Sequence, residues 1–382
     1  MLQVQPLQMN NFLIRIPLLL AVLPLGIGHA GEPLNFSREV LPILSNKCFA
    51  CHGPDTKKAK DLRLDSYEAA TADRKGIRAI DPGVPEDSEL LFRIHDDIDP
   101  MPPEDADKQL TPGEREILSR WVKEGGKYAR HWAFVPPVKE KSAPETGVID
   151  TYVSARHRTQ ETATGFAPEA DRPTLARRAA LVLTGLPPEP DQLDSFLTDN
   201  SDGAYERYVE TLLASPKYGE HQARYWLDAV RYGDTHGLHL DNRRGIYPYR
   251  DWVVRTFNEN LPLDEFITWQ LAGDLLPAPD IRQKVATGFV RMNPTTSEGG
   301  AIPDEFQAKN NFDRTETLGT VMLGMTLTCA RCHTHKYDPI THDDYFSLLA
   351  FFNSTAEQPL DGNKYDHGPA IKAPANPAEW LK

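Results

Sequence analysis

Apolar residues recur at helical spacing along most of the chain, and no stretch shows the alternation of a half-buried β-strand. Near the start, the pattern predicts a helix over residues 37–46. The clearest helix begins at Thr111, because Pro112 follows it and Glu114 stands three positions later, which predicts a capping box. Residues 149–354 form a long series of further helical segments. We therefore predict a mainly all-α fold.

One five-residue motif occurs twice, as Cys-Phe-Ala-Cys-His at 48–52 and as Cys-Ala-Arg-Cys-His at 329–333. In such a segment two thiols bond to the vinyl groups of a c-type haem, and the imidazole binds the iron. All four cysteines of the chain lie in these two copies. A zinc site would need a closer spacing of the pairs. We predict two covalently bound haems. The attachment residues are Cys48, Cys51, Cys329 and Cys332, and the proximal iron ligands are His52 and His333.

The segments around the motifs predict two haem domains. A helix, the first motif, loops, a methionine-bearing loop and a closing helix follow the order of a small cytochrome c. The second motif lies late in a larger helical domain. The predicted segments are a signal peptide at 1–30, a cytochrome c-like domain at 32–134, a linker at 135–148, a helical second haem domain at 149–355 and a Pro-rich tail or truncated end at 356–382.

The first thirty residues have the features of a secretory signal. Arg15 precedes an apolar run at 16–27, and Gly28 and Ala30 provide small residues for cleavage. We expect export to the periplasm, the cell surface or beyond, and no integral membrane span after cleavage. A net charge of −13 argues against nucleic acid as the main partner.

Met101 is the candidate for the second axial ligand of the first haem. It lies in the loop Asp-Pro-Met-Pro-Pro, whose prolines restrict the backbone. A thioether ligand raises the reduction potential compared with a second imidazole. His95 is the rival ligand, and the other interpretation is that Met101 only fills the haem crevice.

Acidic residues surround this loop. They form either a solvated face or a docking patch for a basic redox partner. These residues are Asp96, Asp97, Asp99, Glu104, Asp105 and Asp107.

The sequence does not clearly assign the distal ligand of the second haem. His236, in a loop rich in glycine and aspartate, is the preferred candidate, although for each candidate the sequence favours an ordinary structural role. The alternatives are His239, Met292 and His342. His335 follows His333 too closely to reach the opposite haem face, so we expect it to orient a propionate or its neighbours.

The chain resembles the planctomycete cytochrome C family of large exported proteins. The resemblance covers nearly all of the chain after the signal. The segments that carry it are Phe49-Ala50, Met101-Pro102-Pro103, His131-Trp132-Ala133-Phe134, Leu183 to Pro188, Tyr249 to Val253, Gln270 to Pro277 and Cys329 to Ile340. It implies a small cytochrome c domain joined to a longer cytochrome-like domain, and it implies haem and export rather than a reaction. Val290 stands where relatives often have histidine, so the resemblance implies no distal ligand there.

The sequence predicts an exported dihaem c-type cytochrome that mediates electron transfer with a redox partner protein. One alternative is a dihaem peroxidase or a substrate-oxidising dehydrogenase whose second haem keeps an open position and whose small-molecule substrate is unknown. Another is an extracellular binding or scaffold protein that haem holds together. The chain contains no serine-hydrolase, nucleotide-binding or zinc-protease motif.

Overall fold

The computed structural model describes residues 34–55, 62–139, 147–160, 165–376 and 379–380. Their regular structure is helical, with fifteen α-helices and no β-strand among them, so the predicted all-α fold is confirmed. The helices are α1 (Leu41–Lys47), α2 (Phe49–His52), α3 (Tyr67–Thr71), α4 (Glu89–His95), α5 (Pro112–Lys123), α6 (Val148–Arg158), α7 (Arg172–Thr184), α8 (Pro190–Thr198), α9 (Ala204–Leu213), α10 (Pro216–Ala229), α11 (Tyr247–Asn258), α12 (Leu263–Ala272), α13 (Ile281–Ala286), α14 (Pro303–Leu318) and α15 (His342–Asn353). The predicted signal peptide lies outside the described residues. None of the described helices is long and apolar enough to cross a membrane.

The described residues form two compact units. The small unit contains residues 34–47 and 66–129, and the large unit contains the remainder, including 48–55 and 62–65. The first Cys-x-x-Cys-His motif belongs to the large unit, where Asp55 just after it hydrogen-bonds Thr334. The predicted domain bounds stay a prediction.

The small unit is built around α5. The predicted capping box is present: Thr111 Oγ1 accepts from the Glu114 amide at 3.2 Å, and the Glu114 carboxylate accepts from the Thr111 amide at 2.7 Å. Such a cap stabilises a helix by about 1 kcal/mol. The buried face of α5 includes Trp121, whose ring lies 5.7 Å from that of Phe36. Gly126 ends this segment at φ +57°, and a Cβ there would lie 2.5 Å from Ile80 Cγ2.

The large unit contains three packed groups of helices. The first joins α7, α8 and α9, the second joins α10 to α13, and the third pairs α14 with α15. In the second group α10 and α11 approach closely at Gly219, where a Cβ would lie 2.4 Å from Val254 O. The core of this group is aromatic, with Trp252 stacked on Phe266 at 5.2 Å between ring centroids.

The described residues of the predicted Pro-rich tail are folded onto the large unit. Asp361 is only 2% exposed, and its amide donates to Thr296 O at 3.2 Å. Trp380 is buried within the core of the α10–α13 group, and its indole N–H donates to Pro374 O at 2.7 Å. The segment therefore contributes to the core of the large unit.

Candidate functional site

The first Cys-x-x-Cys-His motif forms one helical turn. Cys48 precedes α2, and its carbonyl oxygen accepts from the amides of Cys51 at 3.0 Å and His52 at 2.8 Å. Residues three apart in a helix lie on one face, so both thiols project from the same side of the turn. Cys51 is exposed and Cys48 is partly exposed. The turn therefore presents two neighbouring thiols for attachment to one group.

The His52 ring is oriented by a hydrogen bond. Its Nδ1 lies 3.0 Å from Leu62 O, and a carbonyl oxygen can only accept. Nδ1 therefore carries the proton, and the lone pair of Nε2 remains for a metal. A metal-binding histidine typically has its other ring nitrogen held in this way. The amide of Leu64 also donates to His52 O at 2.8 Å, which fixes the backbone of the motif from the other side.

The second motif adopts a similar turn. Its first three residues lie in a short 3₁₀ segment, Thr328–Arg331, and the amides of Cys332 and His333 lie 3.3 and 3.4 Å from Cys329 O. Both cysteines are exposed. His333 Nδ1 lies 2.8 Å from Thr334 O, so this imidazole also keeps Nε2 available.

The second motif rests on α14 and α15. Leu327, Ala330 and Tyr345 form a buried cluster beneath it, called here the Tyr345 cluster. The hydroxyl of Tyr345 donates to Glu316 Oε1 at 3.0 Å, and Arg331 of the motif forms an ion pair with the same oxygen at 3.3 Å. The exposed thiols of this motif therefore lie on a turn that is supported by buried residues.

The residues of both motifs fit covalent attachment of haem. Each copy combines two thiols on one turn with an imidazole whose Nε2 is free to bind iron. A finger-type zinc site would gather four ligands, whereas among the described residues no cluster of three or more histidine, cysteine, aspartate or glutamate side chains has metal-binding geometry. The assignment of these residues as haem-attachment sites and iron ligands stays a prediction.

The segments next to the two motifs are joined directly. Thr334, immediately after the second motif, donates its amide to Asp55 Oδ2 at 2.7 Å and its hydroxyl to Asp55 Oδ1 at 2.8 Å. Asp55 stands three residues after His52. We name this pair the Asp55–Thr334 clasp. The sequence does not predict this pair, because the two residues are 279 positions apart and neither belongs to a known motif.

His335 lies in a tight turn after the second motif. Its Nδ1 accepts from the Asp338 amide at 2.9 Å. The Asp338 carboxylate in turn lies 3.2 Å from His131 Nε2. Because His131 Nδ1 accepts from the Ala133 amide at 3.3 Å, its Nε2 carries a proton that it donates to Asp338. His335 thus helps to shape this loop, and its proposed contact with a propionate stays a prediction.

Met101 and His95 both lie in the small unit. The Met101 amide donates to Arg93 O at 2.8 Å, which ties its loop to α4. His95 Nε2 is hydrogen-bonded to Ser119 Oγ at 2.9 Å, so this rival ligand already has a partner on its outer nitrogen. The assignment of Met101 as an iron ligand stays a prediction.

His236 occupies a buried position in the large unit, with 2% exposure. Its Nδ1 lies 2.7 Å from Thr295 Oγ1 and 3.3 Å from Asp361 Oδ2, and its Nε2 donates to Lys364 O at 2.9 Å. Both ring nitrogens are therefore engaged. Its role as distal ligand stays a prediction, and iron binding would require one of these bonds to break.

The other distal candidates have different surroundings. Met292 is fully buried in the α10–α13 core, and His239 is exposed at φ +56°. His342 lies closest to the second motif, because its Nδ1 is 3.0 Å from Ala330 O within that motif. Its ring packs edge-on against Phe346.

A buried charged network fixes α14 to the segment after α15. Arg314, 3% exposed, pairs with Glu357, and Arg291 lies 3.2 Å from the same carboxylate. Burial favours a higher pKa for Glu357, but the contact with His367 at 3.4 Å and the charges of the two arginines outweigh it and lower the pKa to about 2. Glu357 therefore stays ionised well into acid.

The acidic residues near Met101 are mostly exposed. Asp96 caps a turn by accepting from the amides of Ile98 and Asp99, and these backbone hydrogen bonds lower its pKa. Arg93 pairs with Asp99. These contacts give part of the acidic run a local structural role, and the docking patch stays a prediction.

Two regions of the chain match known families. Residues 48–105 match the family described as Planctomycete cytochrome C, PSCyt1, and residues 148–357, more than half of the chain, match PSCyt2, described as a protein of unknown function (DUF1549). No curated protein and no solved structure matches. The first match implies a covalently bound c-type haem, and the resemblance predicted from the sequence is confirmed. The chain belongs to the PSCyt2 (DUF1549) family, and it carries a Planctomycete cytochrome C (PSCyt1) segment ahead of that domain.

Proposed function

We propose that this protein is an exported dihaem c-type cytochrome that transfers electrons, with one haem at each Cys-x-x-Cys-His motif. The observation that carries the proposal is the turn common to both copies, with two thiols on one side and an imidazole whose Nε2 is available. When bound, haem supplies an iron centre that gains and loses one electron. The PSCyt1 match supports this role for the first motif.

In this proposal the residues of each motif have separate tasks. Cys48 and Cys51 form the two thioether bonds at the first site, and His52 binds the iron through Nε2. The hydrogen bond from His52 Nδ1 to Leu62 O keeps the ring in one orientation and increases its basicity. Met101 would supply a thioether as a further iron ligand, which would raise the reduction potential relative to a second imidazole.

At the second motif the same tasks belong to Cys329, Cys332 and His333. The Tyr345 cluster holds this turn against α14 and α15. His236 is proposed as the distal ligand only if its hydrogen bond to Lys364 O opens.

The sequence features outside the motifs support the place of action. A signal peptide at 1–30 directs export, which agrees with haem attachment outside the cytoplasmic membrane. The electron donor or acceptor is proposed to be a protein with a basic surface, because the chain carries a net charge of −13.

Haem counting tests the proposal. The protein is produced in a host with a cytochrome c maturation system, and haem is quantified as the pyridine haemochrome. We expect two haems in the native chain and one in each double variant, Cys48→Ala/Cys51→Ala and Cys329→Ala/Cys332→Ala. A well-folded, colourless protein that holds zinc would contradict the proposal.

A second candidate function is catalysis at an open second haem. It is favoured by the engagement of both nitrogens of His236, which leaves the distal position without an available ligand from that residue. Carbon monoxide should then bind one haem per chain, and the protein should turn over peroxide. Absence of both would favour the electron carrier.

A further inference from the structure

The Asp55–Thr334 clasp limits the distance between the two motifs. The inference drawn from this distance rests on the proposed function. Three peptide links separate His52 from Asp55, and one separates Thr334 from His333. Each link spans about 3.8 Å, and the clasp adds one carboxylate side chain and one hydrogen bond. The Cα atoms of the two proximal histidines therefore lie within roughly 23 Å of each other.

The clasp has a defined geometry. Both oxygens of Asp55 accept, one from the amide and one from the hydroxyl of Thr334, at 2.7 and 2.8 Å. Two bonds between the same pair of residues restrict rotation in a way that one bond does not. The carbonyl oxygen of Thr334 also lies 2.8 Å from His333 Nδ1. Thr334 therefore bonds both to Asp55 and to the proximal ring of the second motif.

The loop that begins at Thr334 is also held at its other end, near Asp338. The His131 side chain, 11% exposed, donates to Asp338 Oδ1 at 3.2 Å, and the Asp338 amide donates to His335 Nδ1. The loop from Thr334 to Asp338 is therefore held at both ends. Of these contacts, the Asp55–Thr334 clasp joins the loop to the residues just after the first motif.

We propose that the Asp55–Thr334 clasp holds the two haem sites side by side, so that they exchange electrons within one chain. In this exchange the group at one site loses one electron as the group at the other gains it, and no outside oxidant is needed. Charges at this separation also interact, so reduction at one site makes reduction at the other less favourable. Asp55 and Thr334 act as positioning residues.

The test uses the full, haem-loaded protein and electron paramagnetic resonance of its oxidised form. In the native chain we expect each haem signal to be broadened and to relax faster than in the two single-haem double variants. Asp55→Ala should reduce this effect while the haem count stays at two. Asp55→Asn, which keeps one acceptor, should restore much of it, and Asp97→Ala at an exposed carboxylate is the matched control.

Hydrogen exchange gives a second readout that does not depend on haem chemistry. Loss of the acceptor in Asp55→Ala should make the Thr334 amide exchange roughly five- to tenfold faster, and Asp97→Ala should leave it unchanged. A native spectrum equal to the sum of the two single-haem spectra would overturn the inference and leave the dihaem function intact. A count of one haem would instead remove the proposed function.

Discussion

The two Cys-x-x-Cys-His motifs share a turn but differ in what supports it. The proximal ring of the first is oriented by Leu62, ten positions away, and its backbone by Leu64. Among the described residues, the ring of the second bonds to the neighbouring residue, Thr334, and the turn itself lies on a buried cluster. The first site therefore depends on its hydrogen bonds to Leu62 and Leu64, and the second depends on the packing beneath it. Substitutions in the buried cluster should therefore affect the second site more than the first.

The largest effect on stability is expected from disruption of the Tyr345 cluster beneath the second motif. Tyr345 is fully buried, and Tyr345→Ala should destabilise the large unit by about 4 kcal/mol, as for other buried aromatic side chains. Denaturant unfolding measures this change. Haem occupancy should fall at Cys329 and Cys332 more than at Cys48 and Cys51.

Two controls accompany this variant. Phe346→Ala changes the next residue, which is 39% exposed, and should cost much less stability. Tyr345→Phe removes only the hydroxyl that bonds Glu316 and should cost about 1 kcal/mol. Equal losses of haem at both motifs in Tyr345→Ala would show that the two sites are not supported separately.

The next effect is a pH dependence at the second site. The folded pKa of Glu357 is about 2 and its ordinary value is 4.5. A lowered folded pKa stabilises the fold above the ordinary value, and this stability is lost as pH falls from about 4.5 to 2. The loss amounts to roughly 3 kcal/mol. Acid should therefore loosen α14, and with it the second motif, before the first.

Unfolding curves collected between pH 5 and pH 2 measure this dependence. Glu357→Gln should be less stable at neutral pH and should show a shallower decline in this range. The matched control is Glu298→Gln, which changes an exposed glutamate. A native decline no steeper than that of Glu357→Gln would contradict the role of the buried network.

A smaller effect concerns the first site alone. If Met101 binds iron, Met101→Ala should abolish the weak near-infrared band of an oxidised methionine-bound haem and lower its reduction potential. Met101→His should keep six ligands at a lower potential. The second haem serves as the internal control, and its spectrum should stay unchanged. An unchanged first-site spectrum in Met101→Ala would transfer the role to His95 or to water.

Much of the fold could be predicted because its signals are local. The capping box of α5 follows from three residues at the start of the helix, Thr111, Pro112 and Glu114. Ser88 precedes α4 and is of a residue type that often caps helices, but its hydroxyl accepts from the Asp81 amide at 2.9 Å instead. Here a tertiary contact replaced a local one.

The site was predictable only in part, for the same reason. The cysteines and proximal histidines stand within five residues of each other and form a recognisable motif. Leu62 contributes its backbone carbonyl, so the identity of its side chain does not indicate this role. The partners in the Asp55–Thr334 clasp are brought together by folding, and no local feature of the sequence indicates that contact.

Peptide mapping by mass spectrometry tests the central claim most directly. The exported protein is digested, and the peptides that contain Cys48 to His52 and Cys329 to His333 are weighed. Our account predicts that each of the two peptides carries the mass of one haem bound through both thiols. A haem on the first peptide and unmodified thiols on the second would contradict it.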